Sequence, residues 1–202
     1  PSEYQAVEYI ESTGQQYINS FHGCNDNTRL EIDFTLTGGA GGSSIFGCSY
    51  GGYQWLFITR NSSFMIYGPN SNNTMCNATV GKHYFGVFEQ HWVSITNVTD
   101  GTASTKENVD SMGGGTKNIR LFGDTSNNKG YIRLYGLKVY ESGELVHDWR
   151  PCYTYIDNVK TAGLYDAFGE GGFRKNDNAS GADFILGEES ADFLLVKGDP
   201  AK

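Results

Sequence analysis

Within this 202-residue chain, Glu31-Ile32-Asp33-Phe34-Thr35 is the stretch whose residue types and spacing come nearest to chemistry. In an extended strand, residues two apart share a face about 6 to 7 Å apart, so Glu31 and Asp33 project together. Hydrolysis of a glycosidic bond with retention uses a nucleophile and a separate general acid/base, with carboxyls about 5 Å apart. The third position of this repeat is Thr35, and a hydroxyl of high pKa does not protonate a leaving glycosidic oxygen. The stretch therefore reads as a solvated strand face whose carboxylates sit beside Arg29, with no catalytic residue.

Other catalytic and metal constellations are weaker still. No Gly-x-Ser-x-Gly elbow is present, and His22, His83, His91 and His147 lack a suggestive partner pattern, with His147-Asp148 reading as a polar pair on a strand. None of these histidines is spaced two or four from another. Cys24, Cys48, Cys76 and Cys152 are too far apart for a zinc or redox motif. They read as buried thiols or at most one bridge, although four cysteines allow two disulfides in any of three pairings. Asn25-Asp26-Asn27 has the composition of a calcium loop but not the EF-hand spacing, so it reads as a turn. No cofactor is expected, with calcium left open as an alternative that the residue pattern does not support. The glycine-rich run 38–44 lacks the Lys-Ser/Thr of a phosphate-binding loop.

Binding fits the residues better than catalysis. Tyr50, Tyr53 and Trp55 cluster around Gly51-Gly52, and Tyr67, Asn70 and Asn72 lie close by in sequence. Flat aromatic faces and neutral amides on loops of a rigid sheet are what a neutral sugar needs. The competing reading is that Tyr53 and Trp55 are packing residues of a strand. A net charge of -8 without a Lys/Arg cluster excludes a nucleic-acid footprint, and it disfavours an anionic membrane surface. The longest apolar runs, such as Trp55-Leu56-Phe57-Ile58, are only strand length, so no membrane insertion is expected.

The elements that must carry these residues read as strands throughout. Run 29–37 alternates strictly, with Leu30, Ile32, Phe34 and Leu36 on one face and charged or hydroxyl residues on the other. Segments 44–48, 53–59, 63–67, 82–89, 91–97 and 118–122 are further strands separated by Gly and Asn turns. Stretches 70–77 and 100–116 read as polar connections. Run 131–140 carries apolar residues on both alternating faces, as does an interior strand covered on both sides. Ser142-Gly143 turns it into a second run that Arg150-Pro151 should end. Closing strands are expected at 163–168, 184–186 and 193–196. Residues 1–197 are read as one all-β domain, a two-sheet antiparallel β-sandwich, and 198–202 as a terminus or linker.

Two segments also carry a resemblance. Val7-Glu8-Tyr9-Ile10-Glu11-Ser12-Thr13-Gly14-Gln15-Gln16-Tyr17-Ile18 near the start resembles one end of a family signature. The other end is similar to Tyr135-Gly136-Leu137-Lys138-Val139-Tyr140, Leu145-Val146, Pro151-Cys152 and Gly163-Leu164-Tyr165-Asp166. The family is that of concanavalin A-like, laminin-G-like jelly-roll domains of bacterial surface proteins and phage tail or fibre proteins. It also includes laminarinase-type hydrolases, which carry Glu-x-Asp-x-Glu where this chain ends in Thr35. The resemblance implies a jelly roll and a non-catalytic, lectin-like module of an extracellular surface or virion. Its partner would be a glycan or cell-surface receptor. The alternative it leaves open is a structural module that contacts neighbouring virion or surface-protein subunits.

Overall fold

The computed structural model describes residues 4–50, 53–68, 72–109, 118–123, 129–170, 172–179 and 181–194. Among the described residues there are eighteen strands and no helix. In chain order they begin with β1 (Tyr4–Val7), β2 (Ile10–Glu11), β3 (Ile18–Gly23), β4 (Thr28–Leu36), β5 (Gly42–Tyr50) and β6 (Tyr53–Arg60). There follow β7 (Ser63–Tyr67), β8 (Asn72–Asn77), β9 (His83–Glu89), β10 (Trp92–Asn97), β11 (Thr102–Glu107) and β12 (Asn118–Leu121). The last are β13 (Ile132–Glu141), β14 (Glu144–Ile156), β15 (Val159–Asp166), β16 (Phe173–Lys175), β17 (Ile185–Leu186) and β18 (Glu189–Leu194).

The strands form two antiparallel sheets, which is a β-sandwich. The larger runs β11-β10-β9-β4-β13-β14-β1-β18, with β15, β16, β2 and β17 attached off that path, and the smaller runs β3-β12-β5-β6-β7-β8. The period-two pattern of β4 holds residue by residue: Leu30, Ile32, Phe34 and Leu36 are fully buried. Facing strands supply matching rings. Phe34 meets Phe57 and Phe64 edge-on, each with centroids 5.9 Å apart, and Phe46 meets Phe88 at 4.9 Å. Such pairs add roughly 0.5–1.5 kcal/mol each beyond the area they bury, so the two sheets are locked across this aromatic layer.

Three sequence expectations change. Stretches 70–77 and 100–116 contain strands β8 and β11, not only connections. Both are largely polar, β11 mostly exposed and β8 half so with no fully buried residue, and each lies at the end of its sheet's path. An edge strand needs no second apolar face, so it gives no hydrophobic period to read. Arg150-Pro151 does not end its run, because β14 continues to Ile156 and gains β15 as a partner along 149–156. Finally, β13 is buried on one face only.

Cys76 and Cys152 are free thiols, Cys24 is buried, and the side chain of Cys48 lies outside the described residues. Burial pushes the Cys152 thiol up to about 12.

Candidate functional site

The geometry of the site begins with one extra residue. β13 pairs with β4 as Leu134↔Phe34 and then Gly136↔Asp33, so Tyr135 has no opposite number and forms a bulge. A bulge shifts the alternation by one. Ile132 and Leu134 before it and Leu137 and Val139 after it are all buried on the same, core-facing side. The apparent two-faced apolar pattern of β13 is thus one face read through a phase shift. Its other face carries Arg133, Tyr135, the exposed Lys138 and Tyr140.

The bulge coincides with a fork in the sheet. On one side, β13 pairs with β14 from Glu141↔Glu144 to Leu137↔Trp149, and then with β2 at Leu134↔Ile10 and Arg133↔Glu11. Beyond Trp149, β14 turns that same edge to β1 at Cys152↔Ala6 and Tyr153↔Gln5. Pro151 sits inside the fork, where a missing N–H disrupts no β13 ladder.

A groove of about 750 Å3 opens over this fork. Its floor is Glu31 and Asp33 of β4, Phe85 of β9 and Gly136 to Lys138 of β13. Asp148 of β14 completes the floor, Arg150 and Pro151 form one wall, and Ala6 to Glu8 with Glu188 to Ser190 form the other. Gly136 keeps the floor low: a Cβ there would meet only the Trp149 carbonyl oxygen, at 3.7 Å. Tyr135 stands at one end. Its hydroxyl lies 3.1 Å from Thr35 Oγ1, and its ring contacts His83 at 4.8 Å and Tyr9 at 5.8 Å.

Each floor carboxylate has a cationic or imidazole partner. Arg29 Nη2 donates to Glu31 Oε1, and Tyr140 Oη donates to Glu31 Oε2 at 3.2 Å. Burial and then the Glu31 carboxylate push the Tyr140 phenol up. Asp33 pairs with His83 Nε2. Arg150 donates to Asp148 Oδ2 through Nη2 at 2.7 Å and through Nε at 3.1 Å. Lys138 lies between two acids in one cross-strand row, opposite Glu31 on β4 and Asp148 on β14. The arrangement offers fixed hydrogen-bond acceptors and donors beside two aromatic rings, Phe85 and Tyr135.

Of the residues singled out for binding, Tyr50, Tyr53, Trp55, Tyr67 and Asn72 lie on strands of the other sheet. Tyr50 and Tyr53 close the β5–β6 hairpin and Trp55 pairs with Cys48, but their side chains fall outside the described residues, as does all of Asn70. Tyr67 is half-buried, pairs with Leu56 and Asn72, and accepts a hydrogen bond from Arg60 Nη1 at 2.7 Å. Asn72 is exposed at the start of β8. The strand order thus brings Tyr67 and Asn72 together, away from the groove. One sequence signal pointed to the fork: a glycine inside an otherwise strong strand, as at Gly136, marks a bulge or a close approach.

A second polar cluster lies at one end of the sandwich. His147 and Asp148, adjacent on β14, point to opposite faces, so they are not a polar pair. His147 Nδ1 pairs instead with Asp166 Oδ2 at 2.6 Å. The fully buried Asp166 carboxylate also accepts from the backbone N–H of Asp148 at 2.9 Å, Phe168 at 3.2 Å and Gly169 at 2.9 Å. The His147 ring meets His22 at 5.1 Å, and His22 Nε2 lies 2.9 Å from Glu141 Oε1. Glu141 also accepts from Asn25 Nδ2 at 3.0 Å and from Thr28 Oγ1. The 25–28 turn is therefore tied to a carboxylate of β13.

No protein-family profile matches the sequence, and no curated protein matches it. Among solved structures, the chain is similar to tailspike protein 2 of Escherichia coli O157:H7 bacteriophage CAB120, with 11% identity over 68% of this chain and a TM-score of 0.46. This chain spans 24% of that tailspike's length. A heptameric SAP-like pentraxin from Limulus polyphemus is similar at 11% identity, covering 72% of this chain and 77% of its own, with a TM-score of 0.43. Scytalido-glutamic peptidase, solved with a transition-state analogue inhibitor, is similar at 14% identity over 77% of this chain and 92% of its own, with a TM-score of 0.37.

Proposed function

We propose that this chain is a concanavalin A-like, laminin-G-like recognition module of an extracellular surface, bacterial or virion, that binds a saccharide in the fork groove without cleaving it. The observation that carries this reading is the groove itself: an open volume with a glycine floor, aromatic side chains at its edge and hydrogen-bonding groups already held by partners. Sugar hydroxyls suit such acceptors, and hydrogen bonds to charged groups contribute about 1.5–3 kcal/mol each when well placed. Sugar C–H faces suit Phe85 and Tyr135.

Cleavage is disfavoured by the same geometry. Thr35, where a third carboxylate would stand, is buried with its hydroxyl against Tyr135. Glu31, Asp33 and Asp148 are each engaged by Arg29, His83 and Arg150. General acid catalysis needs a carboxyl free to carry a proton to the leaving oxygen.

A glycan array probed with the wild-type chain, Gly136→Val and Trp55→Ala tests the assignment. Binding lost in Gly136→Val and kept in Trp55→Ala supports the groove. The reverse pattern would move the site to the set Tyr50, Tyr53, Trp55, Tyr67, Asn70 and Asn72. Release of reducing sugar from a β-glucan by the wild type but not by Glu31→Gln would overturn the non-catalytic reading.

A second reading, a structural module contacting neighbouring subunits, is favoured by one feature. The tip of the β14–β15 hairpin exposes Tyr155 at 65% and Val159 at 63%. Exposed apolar residues at one tip suit a packing contact. Light scattering on the wild type and on Tyr155→Ser/Val159→Ser would detect it as a loss of oligomer.

A further inference from the structure

We infer that the groove selects saccharides bearing free ammonium groups over saccharides bearing carboxylates. This rests on the reading of the groove as a saccharide site and names the class of sugar it takes. Six carboxylate residues line the groove, Glu8, Glu31, Asp33, Asp148, Glu188 and Glu189, against two cations, Lys138 and Arg150.

The distribution matters more than the total. On the floor, Glu31, Asp33 and Asp148 have Arg29, His83 and Arg150 as partners, and Lys138 lies in the row between Glu31 and Asp148. Glu189 at the rim accepts from Tyr153 Oη at 2.8 Å and has Lys160 Nζ at 3.6 Å. Glu8 and Glu188 differ from these. Both are exposed, and among the described residues no lysine, arginine or histidine forms an ion pair with either. Their backbones are fixed to each other, with Glu8 N donating to Glu188 O at 2.9 Å. Nearby, Gln5 Nε2 donates to Ser190 O at 2.6 Å. The rim therefore presents two carboxylates, joined through one backbone hydrogen bond, beside a largely compensated floor.

An ammonium group of a polymer lying along the groove finds an opposite charge at this rim without displacing an existing pair. A uronate meets like charge there, and the bases on the floor are already engaged or offset. The attraction is Coulombic, at the surface, and therefore screened by salt. Hydrogen bonding to neutral sugar hydroxyls would show little such screening.

The test is titration calorimetry with three oligosaccharides of equal length: oligoglucosamine, its fully N-acetylated counterpart and an oligogalacturonate, at low and high salt. The expected result is a Kd about tenfold lower for oligoglucosamine than for the acetylated oligomer at low salt, shrinking at high salt. Glu8→Gln/Glu188→Gln should bring the ratio of the two dissociation constants close to one and remove its salt dependence, whatever the change in the acetylated oligomer's own affinity. Gly136→Val should abolish binding of both. Equal affinities for the amine and acetyl forms, tighter binding of the uronate, or a preference that survives Glu8→Gln/Glu188→Gln would overturn the inference and leave the saccharide reading standing, whereas binding that survives Gly136→Val would overturn both. If none of the three binds, the saccharide reading itself fails, and the inference with it.

Discussion

The groove and the end cluster are built from the same chemistry on the same three strands, β4, β13 and β14 with their neighbours, yet they do opposite things. Around Asp166 the polar groups saturate one another in a filled space: one carboxylate takes an imidazole and three backbone N–H groups. Around Gly136 the carboxylates are held from below and the space above them stays open. β14 serves both regions with consecutive residues, His147 turned inward and Asp148 outward. What separates a clamp from a binding site here is unoccupied volume, and the sheet makes that volume where β13 and β14 part.

The sharpest way to break this contrast is at Asp166. Asp166→Ala would leave a half-buried imidazole and three backbone donors without their acceptor, and breaking such a buried charged network costs about 3–5 kcal/mol. Urea denaturation should show the midpoint falling accordingly. A loss below about 1 kcal/mol would mean that the cluster is not structural.

Placing one substitution in both regions tests the role of space directly. Gly169→Val puts a Cβ 2.4 Å from the Val146 carbonyl oxygen and 2.5 Å from Asp166 Oδ2. It should destabilise by about 3 kcal/mol or more through overpacking and displacement of that carboxylate. Gly136→Val enters open space on a strand, where a β-branched residue is favoured, and should stay within about 1 kcal/mol of wild type while losing ligand. Equal destabilisation by the two would sink the distinction.

Acid offers a milder probe of the end cluster. Burial alone would raise the Glu141 carboxyl, but hydrogen bonds from Thr28, His22 and Asn25 outweigh it and hold the value below the usual one. A lowered folded-state pKa contributes stability above the unfolded-state value, and that stability is lost as pH falls through the folded-state value. Stability should therefore decline below the ordinary carboxylate range, and Glu141→Gln should flatten that decline. An unchanged slope would remove Glu141 from the account.

The smallest effect is expected on the groove floor. Glu31→Gln removes one charge of an ion pair whose arginine is 39% exposed, and exposed pairs contribute about 1 kcal/mol or less. Thermal unfolding should shift little, which is the behaviour of a surface held ready rather than of a keystone.

Much of this was legible in the sequence, and the limits have physical causes. β4 was readable because its polar face meets solvent and its apolar face the core, so hydropathy alternates with the pleat. β8 and β11 were not, since an edge strand buries too little to leave a pattern. β13 was misread because a bulge at Tyr135 inverts the phase midway, and periodicity assumes a constant phase. His147 was paired with its sequence neighbour Asp148, although consecutive strand residues face apart and its partner Asp166 is supplied by β15.

The sequence by itself determined an all-β chain, its turns and the alternating residues that make the two-sheet core, because those depend on local backbone preference and on burial at period two. The groove was decided only by the tertiary structure. Its lining comes from residues 6–8, 31, 33, 85, 135–138, 148, 150, 151 and 188–190, which no local pattern connects. They meet because β13 and β14 part next to the Tyr135 bulge and β1, flanked by β18, pairs with β14 beyond that point, and pairing of that kind is set by which ladders can be satisfied together.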